Sequence, residues 1–157
     1  MTSTLADQKP GHYVFVASDT YEDNGRRVPA HETVERRLKE LRWPIYSSTR
    51  HKTHLRPGDH VAVYLAGMGA NRQCFVAKAV IKNITSATRA QKYSELIGAE
   101  VELIVELEQV SAIEPAKPIL SISKELSFFP IGNPRWGPIL MGGCRRISNE
   151  DYGVIVK

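Results

Sequence analysis

The side chains best suited to bind a nucleotide are concentrated in one stretch of the sequence, RWPIYSSTRHKTHL at residues 42–55. Two aromatic rings, Trp43 and Tyr46, come first. Three consecutive hydroxyl side chains and then four basic or potentially basic side chains follow, namely Ser47, Ser48, Thr49, Arg50, His51, Lys52 and His54. Aromatic rings stack on nucleobases, hydroxyls hydrogen-bond to base edges and cations bind phosphates. The stretch therefore predicts contacts to a base through its first half and to phosphates through residues 50–52.

Both tryptophans have two interpretations. Trp43 follows a predicted amphipathic helix, so its ring either fills the core at the end of that helix or forms part of a binding site. Tyr46 lies beyond Pro44 and is favoured as a site residue. Trp136 lies in NPRWGPILMGGCRRIS at residues 133–148 and either contacts a ligand or packs as a lid on the core. Its neighbour Arg135 is a further predicted phosphate contact, and the two glycines that follow would let the backbone approach a ligand closely.

Sequence signatures of enzymes and of metal sites are absent. The chain has no P-loop, no GxGxxG after a strand, no HExxH, no GxSxG and no cysteine and histidine spacing typical of zinc. His51 and His54 lie three residues apart in a predicted loop, where exposure or phosphate contact is favoured over a metal. Cys74 and Cys144 are the only cysteines and are expected to be buried thiols. The sequence thus predicts a non-catalytic protein without a cofactor or metal.

Composition predicts one folded domain with an uneven charge distribution. The 157 residues are 42% apolar and 24% charged, which is typical of globular proteins. The formal net charge is +4; residues 36–56 contain seven Lys or Arg and one acid, whereas residues 95–114 contain six acids and no base. Such a chain could bind a polyanion. It has neither an apolar stretch of about 20 residues nor a secretory leader at its start, so we expect no membrane partner and a cytoplasmic location.

Hydrophobic patterns predict more strands than helices. A buried strand is predicted at residues 12–18, a loop at 19–30, and a helix at 32–42 that ends at Pro44. An Arg-Pro-Gly-Asp turn precedes a predicted hairpin, 60–66 with 73–84, and glutamates alternate with apolar residues in a strand at 100–110. A short helix at 120–129, a strand at 137–147 and a final helix capped by Ser148 complete the chain. This order indicates an α+β fold with a mixed or antiparallel sheet curled into a small barrel.

Three segments of the sequence resemble the EVE domain family, which belongs to the PUA-like superfamily and is related to YTH domains. They are the strand ending in Val16-Ala17-Ser18, the stretch RWPIYSSTRHKTHLRPGDHVAVYLAG, and LSFFPIGNPRWGPILMGGCRRISNEDYGVI near the C-terminus. The similarity covers most of residues 12–156 with sparse identities. The family's common Lys-Ser-Glu-Pro ending of the first strand is here Ala-Ser-Asp-Thr, so that Ala17 replaces a lysine.

The resemblance implies a PUA-like pseudo-barrel flanked by short helices, with a pocket that accepts a flipped-out modified base. Aligned with the YTH pattern, IYSSTRH places Tyr46 in the aromatic cage and Ser47 at backbone contacts to the base. Aligned with the EVE pattern, Trp43 forms the cage wall instead. Ser18, at the end of the first strand, would hydrogen-bond to the base edge.

The resulting hypothesis is a non-catalytic module, residues 12–157, that recognises a methylated or hydroxymethylated base in DNA or RNA. Residues 1–11 are expected to form a flexible tail. Base contacts are predicted for Ser18, Trp43, Tyr46, Ser47, Ser48 and Trp136, and phosphate contacts for Arg50, His51, Lys52 and Arg135. A partner nuclease would supply any effector activity. One alternative is a binder or sensor of a small nucleoside or nucleotide that uses the same pocket. Another, without a recognisable catalytic motif to support it, is an enzyme that acts on a nucleotide-like substrate.

Overall fold

The computed structural model describes residues 9–22, 24–89, 100–130, 132, 136–140 and 142–157. The elements in these residues are β1 (His12–Ala17), β2 (Thr20–Tyr21), β3 (Arg27–Val28), α1 (Ala30–Glu40), β4 (Arg42–Tyr46), β5 (His60–Leu65), β6 (Cys74–Ser86), β7 (Val101–Pro118), α2 (Ile119–Ile122), β8 (Cys144–Ile147) and α3 (Asn149–Val156). Two short 3₁₀ helices, Ser123–Glu125 and Gly137–Leu140, lie between α2 and β8. Among the described helices, none has the length and apolar character needed to cross a membrane.

Six strands form one mixed sheet in the order β4-β7-β6-β5-β1-β8. β1 pairs in parallel with β5, and the other neighbouring pairs are antiparallel. The register of β6 against β7 shifts at three places, and such irregularities bend and twist long strands. The sheet therefore curls, which confirms the predicted α+β fold with mixed strands and short flanking helices. The predicted hairpin of β5 and β6 is also confirmed.

The end of α1 differs from the prediction that Pro44 terminates it. The helix stops at Glu40 because Leu41 takes the left-handed conformation, with φ at 57°, and its amide donates to the carbonyls of Arg37 and Leu38. Pro44 instead lies inside β4, which is the edge strand next to β7. An edge strand tolerates proline because one side of it needs no amide donor. The turn at Leu41 therefore places Trp43 in a strand rather than after a helix end.

The segments before α1 and after α2 also differ from the predicted pattern. The predicted loop at 19–30 contains the two-residue strands β2 and β3. The predicted strand at 137–147 is divided into a 3₁₀ turn and β8, because Gly142 and Gly143 adopt φ of 96° and 79° and break the extended conformation. The predicted helix at 120–129 is α2 followed by a 3₁₀ turn. The Ser148 cap is confirmed, since its hydroxyl accepts the Asp151 amide at 3.0 Å.

Side-chain alternation along β1 and β5 divides the core into two layers on opposite faces of the sheet. Phe15 and Val63 pack on the face that α1 and β4 cover. Val14, Ala62 and Tyr64 pack on the other face, which α2 and α3 cover. Successive side chains of a strand point to opposite faces, so the parity of a residue number in β1 decides which layer it joins. Even-numbered residues of β1, and Ser18 directly after it, therefore face the α2 and α3 side.

The Arg-Pro-Gly-Asp turn joins the start of the domain to β5. Asp59 is buried, and its carboxylate accepts the Gly11 amide at 2.8 Å and the Arg56 amide at 2.9 Å. The Asp59 amide donates to the Arg56 carbonyl at 3.1 Å, which closes the predicted turn around Gly58 at φ 91°. Gly11, predicted to be in the flexible tail, is thus held by the domain. Residues 1–8 of that tail lie outside the described residues.

Both cysteines are buried and unpaired thiols, as expected from the sequence. Cys144 is 2% exposed, and burial raises its pKa to about 12. Burial also raises the pKa of Cys74. Both thiols are therefore protonated near neutral pH, and the thiolate that nucleophilic catalysis requires is disfavoured.

Candidate functional site

A cavity of about 470 Å³ opens on the α2 and α3 side of the sheet, where β1 and β5 end. We call it the Ser18 cavity, and its described lining residues are Val16, Ser18, Tyr64, Ala66, Gly67, Gln73, Trp136, Gly137, Leu140, Gly142 and Gly143. They come from three chain segments: the end of β1, the hairpin of β5 and β6, and the turns before β8. Parallel pairing of β1 with β5 brings the first two together, since their carboxyl ends lie at the same edge.

One carboxylate holds the rim of the cavity beside Ser18. Asp19 accepts the Ala30 amide at 3.0 Å with Oδ1 and the Met68 amide at 3.0 Å with Oδ2. Its side chain thus binds the first amide of α1 and the loop after β5 at the same time. Gly67 is required at this point, because a Cβ on it would lie 2.6 Å from the Asp19 Oδ1 atom. Ser18 and Gly67 are therefore positioned by the same carboxylate.

The opposite wall of the cavity is aromatic. Trp136 is half-buried, and its ring packs against Phe129 with centroids 5.3 Å apart. Arg145 fixes the 3₁₀ turn that follows, because its guanidinium donates to the Ile139 carbonyl at 3.0 Å and lies over the Phe128 ring. Trp136 is thus supported from behind by aromatic packing while part of the residue borders the cavity. A ring held in this way can stack on a planar ligand at little entropic cost.

Besides the indole N–H of Trp136, polar side-chain groups among the described lining residues belong to Ser18, Tyr64 and Gln73. Ser18 is exposed, and its hydroxyl can donate and accept. Tyr64 is almost fully buried, and burial, with a smaller contribution from Cys74, raises the pKa of its phenol well above the usual value. The phenol is therefore neutral at physiological pH and keeps its proton for donation. These groups can hydrogen-bond to the edge of a ring that stacks on Trp136.

The basic stretch after β4 reaches the cavity through its backbone. The Arg50 amide donates to the Gly142 carbonyl at 3.1 Å, and the Val16 amide donates to the Gly143 carbonyl at 2.9 Å. The aliphatic part of the Arg50 side chain packs on Gly142, where an added Cβ would lie 2.8 Å from its Cδ. Thr49 packs beside Gly143 in the same way. Arg50 is therefore an exposed cation at the rim of the cavity.

Trp43 occupies the core on the opposite face of the sheet. It is 2% exposed, its ring lies 5.6 Å from that of Phe15, and the Arg37 guanidinium lies 4.6 Å from the Trp43 ring centroid. Of the two interpretations open from the sequence, the structure therefore gives Trp43 the core position, and it is not among the described residues lining the Ser18 cavity. Trp43 packs on Phe15, and side chains three positions apart along a strand, such as those of Phe15 and Ser18, point to opposite faces of the sheet.

The other predicted residues of this stretch lie around the turn that follows β4. Tyr46 is half-buried and its hydroxyl accepts from Arg37 at 3.1 Å, on the side of α1 rather than at the cavity. Ser47 and Ser48 are exposed, and the Ser47 amide donates to the Glu100 carbonyl. His51 is exposed with a positive φ. Lys52 forms an ion pair with Glu102 at 2.8 Å and also donates to the Ser47 carbonyl.

Two further predictions concern Arg135 and metal binding. Arg135 lies outside the described residues, so its predicted phosphate contact stays a prediction. The His51 and His54 rings have centroids 5.9 Å apart. In the described part of the chain, no cluster of three or more histidine, cysteine or acidic residues is arranged to hold a metal ion.

Several cavity residues were not identified from the sequence. Tyr64 belongs to a strand whose alternation predicts burial but not a ligand-facing role. Gln73 starts the predicted strand at 73–84 but lies in the turn before β6, and Asp19 lies in a predicted loop. One usable signal was present: Ser18 and Gly67 lie at or just after the carboxyl ends of two predicted strands, and the carboxyl ends of neighbouring parallel strands converge. That signal requires the parallel pairing of β1 with β5, which the sequence pattern did not specify.

Comparison with known proteins found similarity to solved structures, whereas the two comparisons by sequence found no match. No protein-family model matches the chain, and no curated protein matches it. The N-terminal domain of Staphylothermus marinus McrB superimposes with a TM-score of 0.60 at 8% identity, over 93% of both chains. Human THYN1, solved in complex with DNA containing 5-methylcytosine, superimposes with a TM-score of 0.59 at 10% identity, over 93% of this chain and 95% of that one. The chain therefore has the PUA-like fold that its resemblance to EVE domains led us to expect.

Proposed function

We propose that this protein binds nucleic acid carrying a modified base, and that the base enters the Ser18 cavity after leaving its stack. The observation that carries the proposal is the combination of groups in one cavity: Trp136 for stacking, Ser18 and Gln73 for hydrogen bonds, and Arg50 at the rim for a phosphate. A volume of about 470 Å³ falls within the range of small-molecule sites.

The fold comparison supports a choice of ligand. THYN1, which has a similar fold, was solved with DNA containing 5-methylcytosine. We therefore propose methylated or hydroxymethylated cytosine as the class of base, in DNA in the first instance. The sequence offered Trp43, Tyr46 and Trp136 as candidates for stacking on the base. Within this proposal Trp136 takes that role, because Trp43 and Tyr46 lie on the α1 side.

The proposal predicts that Trp136→Ala abolishes the preference for a modified base. Stacking on an aromatic ring contributes about 1–3 kcal/mol per base, so affinity for a duplex with one 5-methylcytosine should fall about 5-fold to 150-fold. Fluorescence anisotropy with duplexes that differ only in that methyl group measures the effect. Trp136→Phe is the matched control, since it keeps a stacking face and should keep most of the preference.

Three outcomes of this experiment separate the alternatives. Tighter binding of the methylated duplex by the unsubstituted protein supports the proposal. Equal affinity for methylated and unmethylated duplexes contradicts recognition of a modified base. Binding of free 5-methyl-2′-deoxycytidine as tight as that of the duplex, and insensitive to salt, would favour the small-molecule binder instead.

Arg50 is expected to contact a phosphate, which gives a separate prediction. Each phosphate contact contributes about 0.9 to the slope of log K against log salt concentration, so Arg50→Ala should reduce that slope by about 1. The methylated and unmethylated duplexes should lose affinity equally, because a phosphate contact carries no information about the base. Arg42→Ala is the matched control: Arg42 is exposed at the opposite end of β4. An unchanged slope in Arg50→Ala would remove Arg50 from the interface.

A further inference from the structure

Gln73 has a backbone conformation that its residue type disfavours. Its φ is 59°, in the left-handed region, where side chains other than those of glycine, asparagine and aspartate are rarely found. The conformation is imposed by two hydrogen bonds: the Gln73 amide donates to the Leu65 carbonyl at 2.6 Å, and the Gln73 carbonyl accepts the Ile119 amide at 2.9 Å. Both bonds use only the backbone, so a glycine at this position would keep them without the strain.

Gln73 is one of the described residues that line the Ser18 cavity. Among the described lining residues, it is the one that carries a primary amide. An amide presents a donor and an acceptor side by side in one plane, and this arrangement forms paired hydrogen bonds with a base edge that offers the complementary pair. Strained backbone conformations are retained at positions where function requires the side chain. The strain at Gln73 and its position at the cavity therefore both indicate that function requires the Gln73 side chain.

We infer that Gln73 reads the hydrogen-bonding edge of the base in the Ser18 cavity. This inference rests on the proposed function and adds the residue that determines specificity. On 5-methylcytosine, the side-chain oxygen of Gln73 (Oε1) accepts from the N4 amino group of the base. The side-chain nitrogen of Gln73 (Nε2) donates to N3 of the base. The methyl group at C5 is then free to contact the apolar part of the cavity. The ligand class is thus a pyrimidine that offers a donor beside an acceptor on its Watson–Crick edge.

Gln73→Gly separates the function of the side chain from its structural effect. The substitution removes the amide and relieves the left-handed strain, so the melting temperature should be unchanged or higher. Affinity for a duplex with one 5-methylcytosine should fall about tenfold or more, the usual effect of losing a bidentate contact. Affinity for the same duplex with an abasic site at that position should not change, because no base is present for Gln73 to contact.

Two further variants test alternative explanations. Gln109→Gly is the matched control, because Gln109 has a φ of 51° but is exposed in β7 and is not a described lining residue of the cavity. It should change thermal stability in the same direction without changing affinity for either duplex. Gln73→Met keeps a side chain of similar length without hydrogen-bonding groups, and it should lose affinity for the methylated duplex as Gln73→Gly does.

The outcomes distinguish failure of this inference from failure of the proposed function. A loss confined to the methylated duplex in both Gln73 variants supports the inference. If the unsubstituted protein prefers the methylated duplex to both the unmethylated and the abasic one, and either Gln73 variant keeps the preference over the abasic duplex, Gln73 does not read the base, and the proposed function stands. If the unsubstituted protein binds the methylated and abasic duplexes equally, both proposals are overturned.

Discussion

Replacing Trp43 with alanine is expected to lower the free energy of unfolding by about 3–5 kcal/mol, the usual effect of truncating a buried aromatic residue. The ring is 2% exposed, packs on Phe15 and lies under the Arg37 guanidinium. Truncation would leave a cavity between β1 and α1 and would remove the aromatic partner of a buried cation. Urea denaturation followed by circular dichroism measures the change.

The control for this prediction is Trp136→Ala. Trp136 is half-buried, so its truncation should destabilise the protein less than that of Trp43 while removing the preference for a methylated duplex. Trp43→Ala should show the reverse: reduced stability, with base preference retained under conditions in which the variant is folded. If Trp43→Ala is as stable as the unsubstituted protein and loses base preference, the assignment of the two tryptophans is wrong.

Replacing Gly67 with alanine is expected to lower the free energy of unfolding by about 3 kcal/mol or more and to weaken binding at the Ser18 cavity. Alanine at a φ of 83° costs about 1–2 kcal/mol by itself. The added Cβ would also lie 2.6 Å from the Asp19 Oδ1 atom, so the carboxylate would have to move. Its movement breaks hydrogen bonds to the Ala30 and Met68 amides, each worth about 1 kcal/mol or more.

Gly25 provides a matched control for Gly67. Its φ is 84°, and no described atom lies within 4 Å of a Cβ added to it. Gly25→Ala therefore introduces the same backbone strain without the collision, and should cost about 1–2 kcal/mol. The difference between the two variants, measured by urea denaturation, isolates the contact with Asp19. Equal destabilisation by the two substitutions would show that Asp19 moves freely and does not hold the rim.

Base recognition is predicted to depend on residues far apart in sequence. Ser18, Gln73 and Trp136 lie on three segments that meet only because β1 pairs with β5 and the turn before β8 folds over their ends. Two of them, Ser18 and Trp136, were among the residues predicted from the sequence. Gln73 was not, because nothing in a hairpin loop marks the residue that adopts a left-handed conformation until the backbone hydrogen bonds around it are known.

The cluster of aromatic, hydroxyl and basic residues at 42–55 does not form one site. Its members belong to β4 and to the turn that follows. They lie in different environments: Trp43 in the core, Tyr46 beside α1, Lys52 paired with Glu102, and Arg50 at the cavity. Proximity in sequence therefore predicted one shared site that the fold divides, because Trp43 and Tyr46 both contact Arg37 on the α1 side whereas Arg50 packs on Gly142 at the cavity.

The sequence by itself determined the element types, because local patterns of apolar residues, turn formers and caps decide them. The alternation of β7, the hairpin of β5 and β6, the turn at Gly58 and the Ser148 cap were all predictable from neighbouring residues. So was the α+β class. One exception is Pro44, whose place inside β4 follows from Leu41 and from the open edge of the sheet, neither of which a local pattern specifies. The others are β2 and β3 in a predicted loop and the predicted strand at 137–147, which glycines divide.

Only the tertiary structure decided where the site lies. The parallel pairing of β1 with β5 places Ser18 beside Gly67, whereas Trp43 packs on Phe15, which points to the opposite face of the sheet from Ser18. The pairing of β1 with β5 depends on the register between strands more than 40 residues apart along the chain. Register depends on how all the apolar faces are buried together, so no single segment of the sequence contains it.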